Sequence, residues 1–338
     1  MTESRPVALR PDPVIGVAIT TVHFCDGSAE YLQAGDVVVV VGANNAGKTH
    51  FLKGLYEAVQ DGPGRARDNR WVNEVEFGWQ GEETAFKAWF GERARYQPSS
   101  DAEPRYMIHH RIGPNTSKQL EYLHAWNAWG NSRQFPQIAE YMVGYLSAAE
   151  RGQIALSVRP GRDPVQSPHA PIHHLWDSRE LEKAFSDLVQ QAFGFPVCVN
   201  RHERSSTALF KGPARVDLDV NPPSREALDW YSQLPWLEGE GDGIRAFTGI
   251  LLETAVAQPL ITFVDEPETF LHPRHAKLIG RHLVEQTPRN GQVFIATHSE
   301  EVLQGVLDSR IGRNVKIIRL DRATGARSFL DPERVRDL

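Results

Sequence analysis

Three short stretches of this 338-residue sequence carry side chains suited to phosphate chemistry. Gly42-Ala43-Asn44-Asn45-Ala46-Gly47-Lys48-Thr49 is a complete G-x-x-x-x-G-K-[ST] pattern. Its glycines let successive backbone N–H groups turn inward, and a helix beginning at Lys48 adds the positive end of its dipole to the same spot. Lys48 would reach the β- and γ-phosphates of a nucleotide and the Thr49 hydroxyl would ligate Mg²⁺, with His50 closing the candidate nucleotide-binding set. Far downstream comes Asp265-Glu266-Pro267-Glu268. An acid at the carboxyl end of a buried parallel strand lies beside such a loop, so Asp265 is the expected metal-side acid and Glu266 the candidate general base for an attacking water. The third stretch, Thr297-His298-Ser299, would bring the His298 imidazole within reach of the γ-phosphate.

Each stretch needs a strand to present it. Val37 to Val41 is five consecutive valines, too short and too β-branched for a helix, and reads as a strand buried on both faces of a parallel sheet. Leu260 to Val264 and Gln292 to Ala296 have the same character. From Lys48 to Val59, Phe51, Leu52, Leu55, Tyr56 and Val59 share one helical face, and Asp61-Gly62-Pro63-Gly64 ends the helix. Pro273 opens another helix that closes before Pro288. Val14 to Phe24 and Glu30 to Leu32, joined through Asp26-Gly27-Ser28, predict a small antiparallel sheet ahead of the core, and Val315 to Leu320 with Arg327 to Leu330 predict two strands after it.

Between about Arg65 and Gly239 the pattern is irregular and reads as an insertion. A helix is expected from Ser178 to Phe193, opened by Asp177 with Glu180 three residues on, and strands at Val197 to Asn200, Ala208 to Lys211 and Arg215 to Val220. A further helix follows Pro222-Pro223-Ser224 and runs through Trp230. Trp71, Trp79, Trp89, Trp126 and Trp129 are read as core rather than as platforms for bases. His109, His110, His169, His173 and His174 have neither cysteines nor an H-E-x-x-H pattern beside them, and no metal site is assigned to them.

A formal charge of -6 and a pI near 6.1 argue against a generally basic nucleic-acid binder, while DNA contact through a local groove stays open. Cys25 and Cys198 offer neither a disulfide framework nor a cysteine zinc site. No run approaches eighteen apolar residues and the first residues form no leader, so a cytoplasmic protein without a membrane span is expected.

GANNAGKT, LITFVDEPETFLHP and VFIATHS, in this order and with a long insertion after the first, resemble the ATP-binding-cassette ATPases of the SMC and RecF group. The OLD-like branch is closest, in which E-P-E-x-x-L-H-P replaces the transporter type of D-loop. The resemblance implies an α/β P-loop fold of ABC-ATPase type, with a mainly parallel core sheet, N-terminal antiparallel strands and an inserted mixed α/β lobe. The core lobe would comprise about 1–64 and 255–338, and the second lobe about 65–254. It also implies ATP and Mg²⁺ as ligands and a homodimer that sandwiches ATP, each head offering a signature loop to the other. The matching stretch is Glu238 to Phe247, in which Gly241, Asp242, Gly243 and Arg245 are the candidate contacts, the helix from Ile244 pointing its N-terminus at the anion. It is not L-S-G-G-Q, which tells against a transporter subunit. Tyr145 to Arg151 resembles the Y-L-x-A-x-R segment at the glutamine-loop place, leaving Glu150, Arg151 or Gln153 as the residue near the nucleotide. No long heptad segment for a coiled coil is present; in OLD-like proteins with a fused Toprim nuclease that domain would follow at about Leu330, and the expectation here is a head that works without one. The expected function is therefore a Mg²⁺-dependent ATPase of a bacterial defence system, switching a Toprim-like or other nuclease partner; the alternative is a RecF-like repair or DNA-end-processing ATPase.

Overall fold

The computed structural model describes residues 8–61, 71–97, 105–113, 116–131, 134–147, 151, 154, 159–164, 167–168, 170–203, 205–219, 221–309, 313–321 and 327–332. Its core is a six-stranded sheet in the order Arg327–Leu330, Val315–Leu320, Val37–Val41, Gln292–Thr297, Ile261–Asp265, Val143–Leu146. Every neighbouring pair is parallel except the first. The valine strand Val37–Val41 is hydrogen-bonded on both sides, which explains its unbroken apolar run. Side chains alternate between two cores: Val38 and Val40 pack with Phe51, Leu55, Phe263 and Phe294, whereas Val37 and Val39 pack with Val264, Ile279, Val293 and Ile295. The register sets Thr297 opposite Val41 and Asp265 opposite Ala296, so three strands finish side by side at one edge.

Over the first core lies a three-stranded antiparallel sheet, Ala29–Tyr31, Gly16–Phe24 and Val72–Gln80. Gln292, fully buried on the histidine strand Gln292–Thr297, ties the two sheets together. Its Oε1 accepts from Ile19 N–H at 2.8 Å, and its Nε2 donates to the carbonyls of Ile19 at 2.9 Å and Gln33 at 2.8 Å. Across the second core lie the helices Arg179–Phe193, Asp242–Leu251, Pro273–Gln286 and Glu300–Asp308. The last two touch backbone to backbone: a Cβ at Gly280 would stand 2.2 Å from the Val302 carbonyl oxygen, and one at Gly305 would stand 2.1 Å from that of Lys277.

Two strands of the stretch after the first helix pair with strands of the core. Val143–Leu146 is the outer parallel neighbour of the acid strand Ile261–Asp265, and Val72–Gln80 completes the antiparallel sheet, although both fall inside the expected second lobe 65–254. The physical reason is pairing, since each of those strands would otherwise leave a row of backbone donors and acceptors open. The expected strand from Arg215 to Val220 is a 3-10 turn, Val216–Leu218, in which Arg215 pairs with Asp217 at 2.6 Å and Leu218 is buried; Val220 lies outside the described residues. Ser178, not Asp177, caps the following helix, its Oγ accepting from Leu181 N–H at 3.2 Å, while Asp177 takes a two-pronged bond from Arg162 at 2.8 Å. Trp71, Trp89 and Trp129 are buried, and Trp79 and Trp126 pack against the same cluster. His169 and the side chains of His109 and His110 lie outside the described residues, and among the described residues no group of three or more His, Cys, Asp or Glu is placed to hold a metal. Among them, too, no helix is long and apolar enough to cross a membrane.

Because Gln292 satisfies both backbone groups of Ile19 without access to water, Gln292→Leu should keep the volume and orphan those groups. Urea unfolding should show a loss of about 2–4 kcal/mol. A loss under about 0.5 kcal/mol would mean that the two sheets do not depend on this bridge.

Candidate functional site

The loop after the valine strand turns through Asn45 at φ 63° and Gly47 at φ 96°, backbone that asparagine tolerates and glycine adopts freely. It leads directly into the helix Lys48–Asp61. Lys48 is buried, and its Nζ donates to the carbonyls of Gly42 at 3.0 Å and Ala43 at 3.1 Å, so the loop curls around its own ammonium group. Ala43, Asn44, Asn45, Thr49 and His50 are exposed at the rim, and Ala46 is buried beneath. Amide groups and a helix start around one lysine make a receptacle for phosphate oxygens.

The acid strand brings Asp265 to this rim, where Thr49 Oγ1 donates to Asp265 Oδ1 at 3.1 Å. Burial pushes the Asp265 carboxyl above its ordinary range, opposed by the Thr49 hydrogen bond and reinforced by the nearby Glu266 charge. Two hard oxygen donors at a phosphate-binding loop suit Mg²⁺, and a cation there would offset the cost of a buried carboxylate. The residues present therefore fit that ion.

Immediately after Asp265 the chain enters the left-handed region, with Glu266 at φ 47°. Its N–H donates to the Ala296 carbonyl at 2.7 Å, and its own carbonyl accepts from Thr269 N–H at 3.0 Å. The tight turn sends Glu266 and Glu268 toward the end of the histidine strand. Glu268 Oε1 accepts from the His298 backbone N–H at 3.0 Å and stands 3.0 Å from His298 Nδ1; Glu266 Oε1 is 3.5 Å from the same nitrogen. The imidazole is thus braced between two carboxylates, leaving Nε2 as the nitrogen that neither engages. Glu268, for which the sequence alone suggests no role, is thus part of this site. The available signal was spacing: a Glu two residues beyond another, across a proline, can face the same way in a tight turn.

Of the three candidates from Tyr145 to Gln153, Glu150 and Gln153 lie outside the described residues. Arg151 is fully buried and donates from Nη1 to the Asp265 carbonyl at 2.9 Å. It meets the backbone of the acid strand rather than the 42–49 loop.

Gly241 caps the helix Asp242–Leu251, which starts two residues before the expected Ile244. Phe247, Ile250 and Leu251 bury its inner face in the second core. Arg245 pairs with Asp242 one turn back, and Gly243 passes so close to the Phe270 carbonyl that a Cβ would meet it at 2.7 Å. Among the described residues no hydrogen bond or ion pair joins Gly241, Asp242, Gly243 or Arg245 to Lys48 or Thr49. The structure therefore gathers Lys48, Thr49, Asp265, Glu266 and His298 and leaves the 241–245 turn outside that group.

A carboxyl whose folded pKa lies above its unfolded value binds its proton more tightly when folded, so its ionisation costs stability as pH rises beyond the unfolded value of about 4. Asp265→Asn, which keeps an acceptor for Thr49, should raise the melting temperature of the nucleotide-free protein near neutral pH. That advantage should shrink on acidification, as wild-type Asp265 takes up its proton. Scanning calorimetry across the acid-to-neutral range tests this, and an advantage that grew toward acid would contradict it.

Residues 37–304 match the family described as "AAA domain, putative AbiEii toxin, Type IV TA system". No curated protein matches the sequence. Similar solved structures include an Smc head bound to the C-winged helix domain of ScpA, 11% identical over 95% of this chain and 98% of that one, with a TM-score of 0.48. The SMC head domain from Thermotoga maritima is 11% identical over 95% and 100% of the two chains, with a TM-score of 0.41. CbiO1 from Clostridium perfringens, described as part of the ABC transporter complex cbiONQ, is 13% identical over 96% and 90%, with a TM-score of 0.39. The family match extends over well more than half of the sequence and takes in the 42–49 loop, the Asp265-Glu266 pair and His298, and the chain accordingly belongs to this AAA-domain family, within the P-loop ATPase class.

Proposed function

We propose that the chain is a Mg²⁺-dependent ATP hydrolase of ABC type, nearest in design to OLD-like heads, and that it closes around ATP as a head-to-tail homodimer. The observation that carries this reading is the convergence of Thr49, Asp265, Glu266 and His298 at one sheet edge, with Thr49 and Asp265 hydrogen-bonded and Glu266 facing the imidazole. Lys48 exchanges its two neutral carbonyl partners for β- and γ-phosphate oxygens, a stronger charge-assisted arrangement. Thr49 and Asp265 hold the metal. Bound Mg·ATP supplies the phosphoanhydride and a cation that neutralises the charge developing on the transferred group. Glu266 orients the attacking water and accepts its proton, while His298, steadied by Glu268, donates toward the γ-phosphate.

Two features of the single chain support the dimer reading. The Gly241 end of the helix Asp242–Leu251 offers backbone amides and the positive end of a dipole, and Phe270, 61% exposed at φ 70°, stands beside it as an apolar neighbour for a second head. The finer role, the ATPase of a bacterial defence system that controls a nuclease partner, rests on the resemblance of the three motifs to OLD-like ATPases. The family description, a putative AbiEii toxin of a Type IV TA system, is compatible with that setting.

Lys48→Ala should abolish ATP binding, and unchanged affinity by calorimetry would remove the 42–49 loop from the reading. Glu266→Gln should retain ATP affinity while turnover falls by about 100-fold or more, because the amide cannot accept the water's proton. Light scattering of this variant in saturating ATP should show twice the monomer mass. Undiminished turnover would remove Glu266 as base, and a monomeric mass would remove the self-sandwich. Purified protein with Mg²⁺ or Mn²⁺ and ATP should leave DNA uncut. Cleavage that survives Glu266→Gln and is lost on changing acids within 65–239 would place the nuclease in this chain and end the partner reading.

A further inference from the structure

Arg151 is among the largest fully buried side chains of the protein, yet it uses one hydrogen bond. Nη1 donates to the Asp265 carbonyl at 2.9 Å, while Nε and Nη2 are buried without a partner among the described residues. A guanidinium has five N–H donors, and burying one so incompletely satisfied is costly unless charge nearby compensates. The compensation comes from Glu268, Asp265 and Glu266, whose carboxylates act on Arg151 in that order and work against the effect of its burial. Replacing the arginine by an apolar side chain of similar length would relieve that cost, so a stability argument does not explain its presence here.

The position of its one bond does. The Asp265 carbonyl and the Glu266 N–H belong to the same peptide unit. Arg151 holds the carbonyl end, and the Ala296 carbonyl holds the N–H end at 2.7 Å. Asp265 and Glu266 hang from the two sides of this peptide, and Glu266 departs from it at φ 47°, a conformation that costs about 1–2 kcal/mol and persists only where its surroundings enforce it. Rotation of the peptide by a few degrees would move both carboxylates relative to Thr49 and His298. On its other side Arg151 presses on the helix Asp242–Leu251: a Cβ at Gly249 would lie 2.0 Å from the Arg151 carbonyl oxygen. One residue therefore spans from that helix to the peptide carrying the acid pair.

We propose that Arg151 is a positioning residue for hydrolysis, fixing the Asp265–Glu266 peptide and transmitting the placement of the helix Asp242–Leu251 to Glu266. It acts without touching the nucleotide. The inference rests on the reading of Glu266 as the base, and its test separates the two.

ATPase rates are measured for wild type, Arg151→Met, Arg151→Lys, Glu266→Gln and the two double variants, with melting temperatures alongside. Arg151→Met should lower kcat by about 10- to 100-fold with KM for ATP within about twofold of wild type, and Arg151→Lys, which keeps a cationic donor, should recover part of that loss. In the Glu266→Gln background each change should cost several-fold less than it does with Glu266 present, because the base is gone and only the effect through Asp265 remains. A wild-type kcat for the folded Arg151 variants, a rise in KM at constant kcat, or the same fold-loss with and without Glu266 would overturn the proposal. If Arg151→Met does not fold, the Arg151→Lys cycle decides by the same criteria: a kcat loss that shrinks several-fold in Glu266→Gln supports it, and a wild-type kcat or an additive loss overturns it. Full activity of Glu266→Gln would instead defeat the general-base reading.

Discussion

Parallel pairing of three strands is the constraint on which the site depends. Val37–Val41 pairs with Gln292–Thr297, which pairs with Ile261–Asp265, and the register brings Val41 level with Thr297 and Ala296 level with Asp265. Residues just beyond those positions emerge at one edge, where strand ends and a helix N-terminus meet. None of the site side chains reaches across the molecule to find its neighbours; the ladder of backbone hydrogen bonds delivers them. That is why residues more than two hundred positions apart, Thr49 and Asp265, meet through a single 3.1 Å bond.

Around this edge charge is buried in a way that a core built for stability would avoid. Lys48 and Arg151 are enclosed, Asp265 nearly so, and Glu268 keeps one carboxylate oxygen buried without a partner among the described residues. Opposite charges close to one another make the group tolerable together, and a left-handed glutamate adds local backbone cost. Elsewhere buried charge is closely paired, as where Glu182 meets Arg179 and Arg201 at 2.6 Å, and Gln292 shows how a neutral polar group enters the core when all of its bonds are made.

The local parts of this arrangement were legible in the sequence. Five valines, the two other apolar strands and the glycine-rich loop each carry a short-range signature, and the helix from Lys48 shows its buried face in the spacing of Phe51, Leu52 and Leu55. The acid pair and the histidine could be placed because they sit one or two residues past such strands. What escaped was set by distant partners. Nothing local distinguishes Glu268 from a solvated acid until His298 arrives beside it, and Arg151 gains its place only when the acid strand ends against it. Arg215 to Leu218 alternates like a strand, but backbone bonds from Leu218 N–H to the Arg215 carbonyl at 3.0 Å and from Asp219 N–H to that of Val216 at 3.1 Å close it into a turn. The choice between Asp177 and Ser178 as cap depended on Arg162, fifteen positions earlier, claiming the aspartate.

The contact between the helices Pro273–Gln286 and Glu300–Asp308 has a mechanical side. One helix follows the acid strand and the other follows the histidine strand, and at Gly280 and Gly305 their backbones meet without intervening side chains. Side chains can change rotamer to absorb a shift; carbonyl against Cα leaves no such slack. Asp265, Glu266, Glu268 and His298 are thereby carried on one stiff plate of two strands and two helices. The 42–49 loop leaves from Val41, which pairs with Thr297 of this same plate, so its distance from these groups is held by a ladder of backbone bonds rather than by side-chain rotamers.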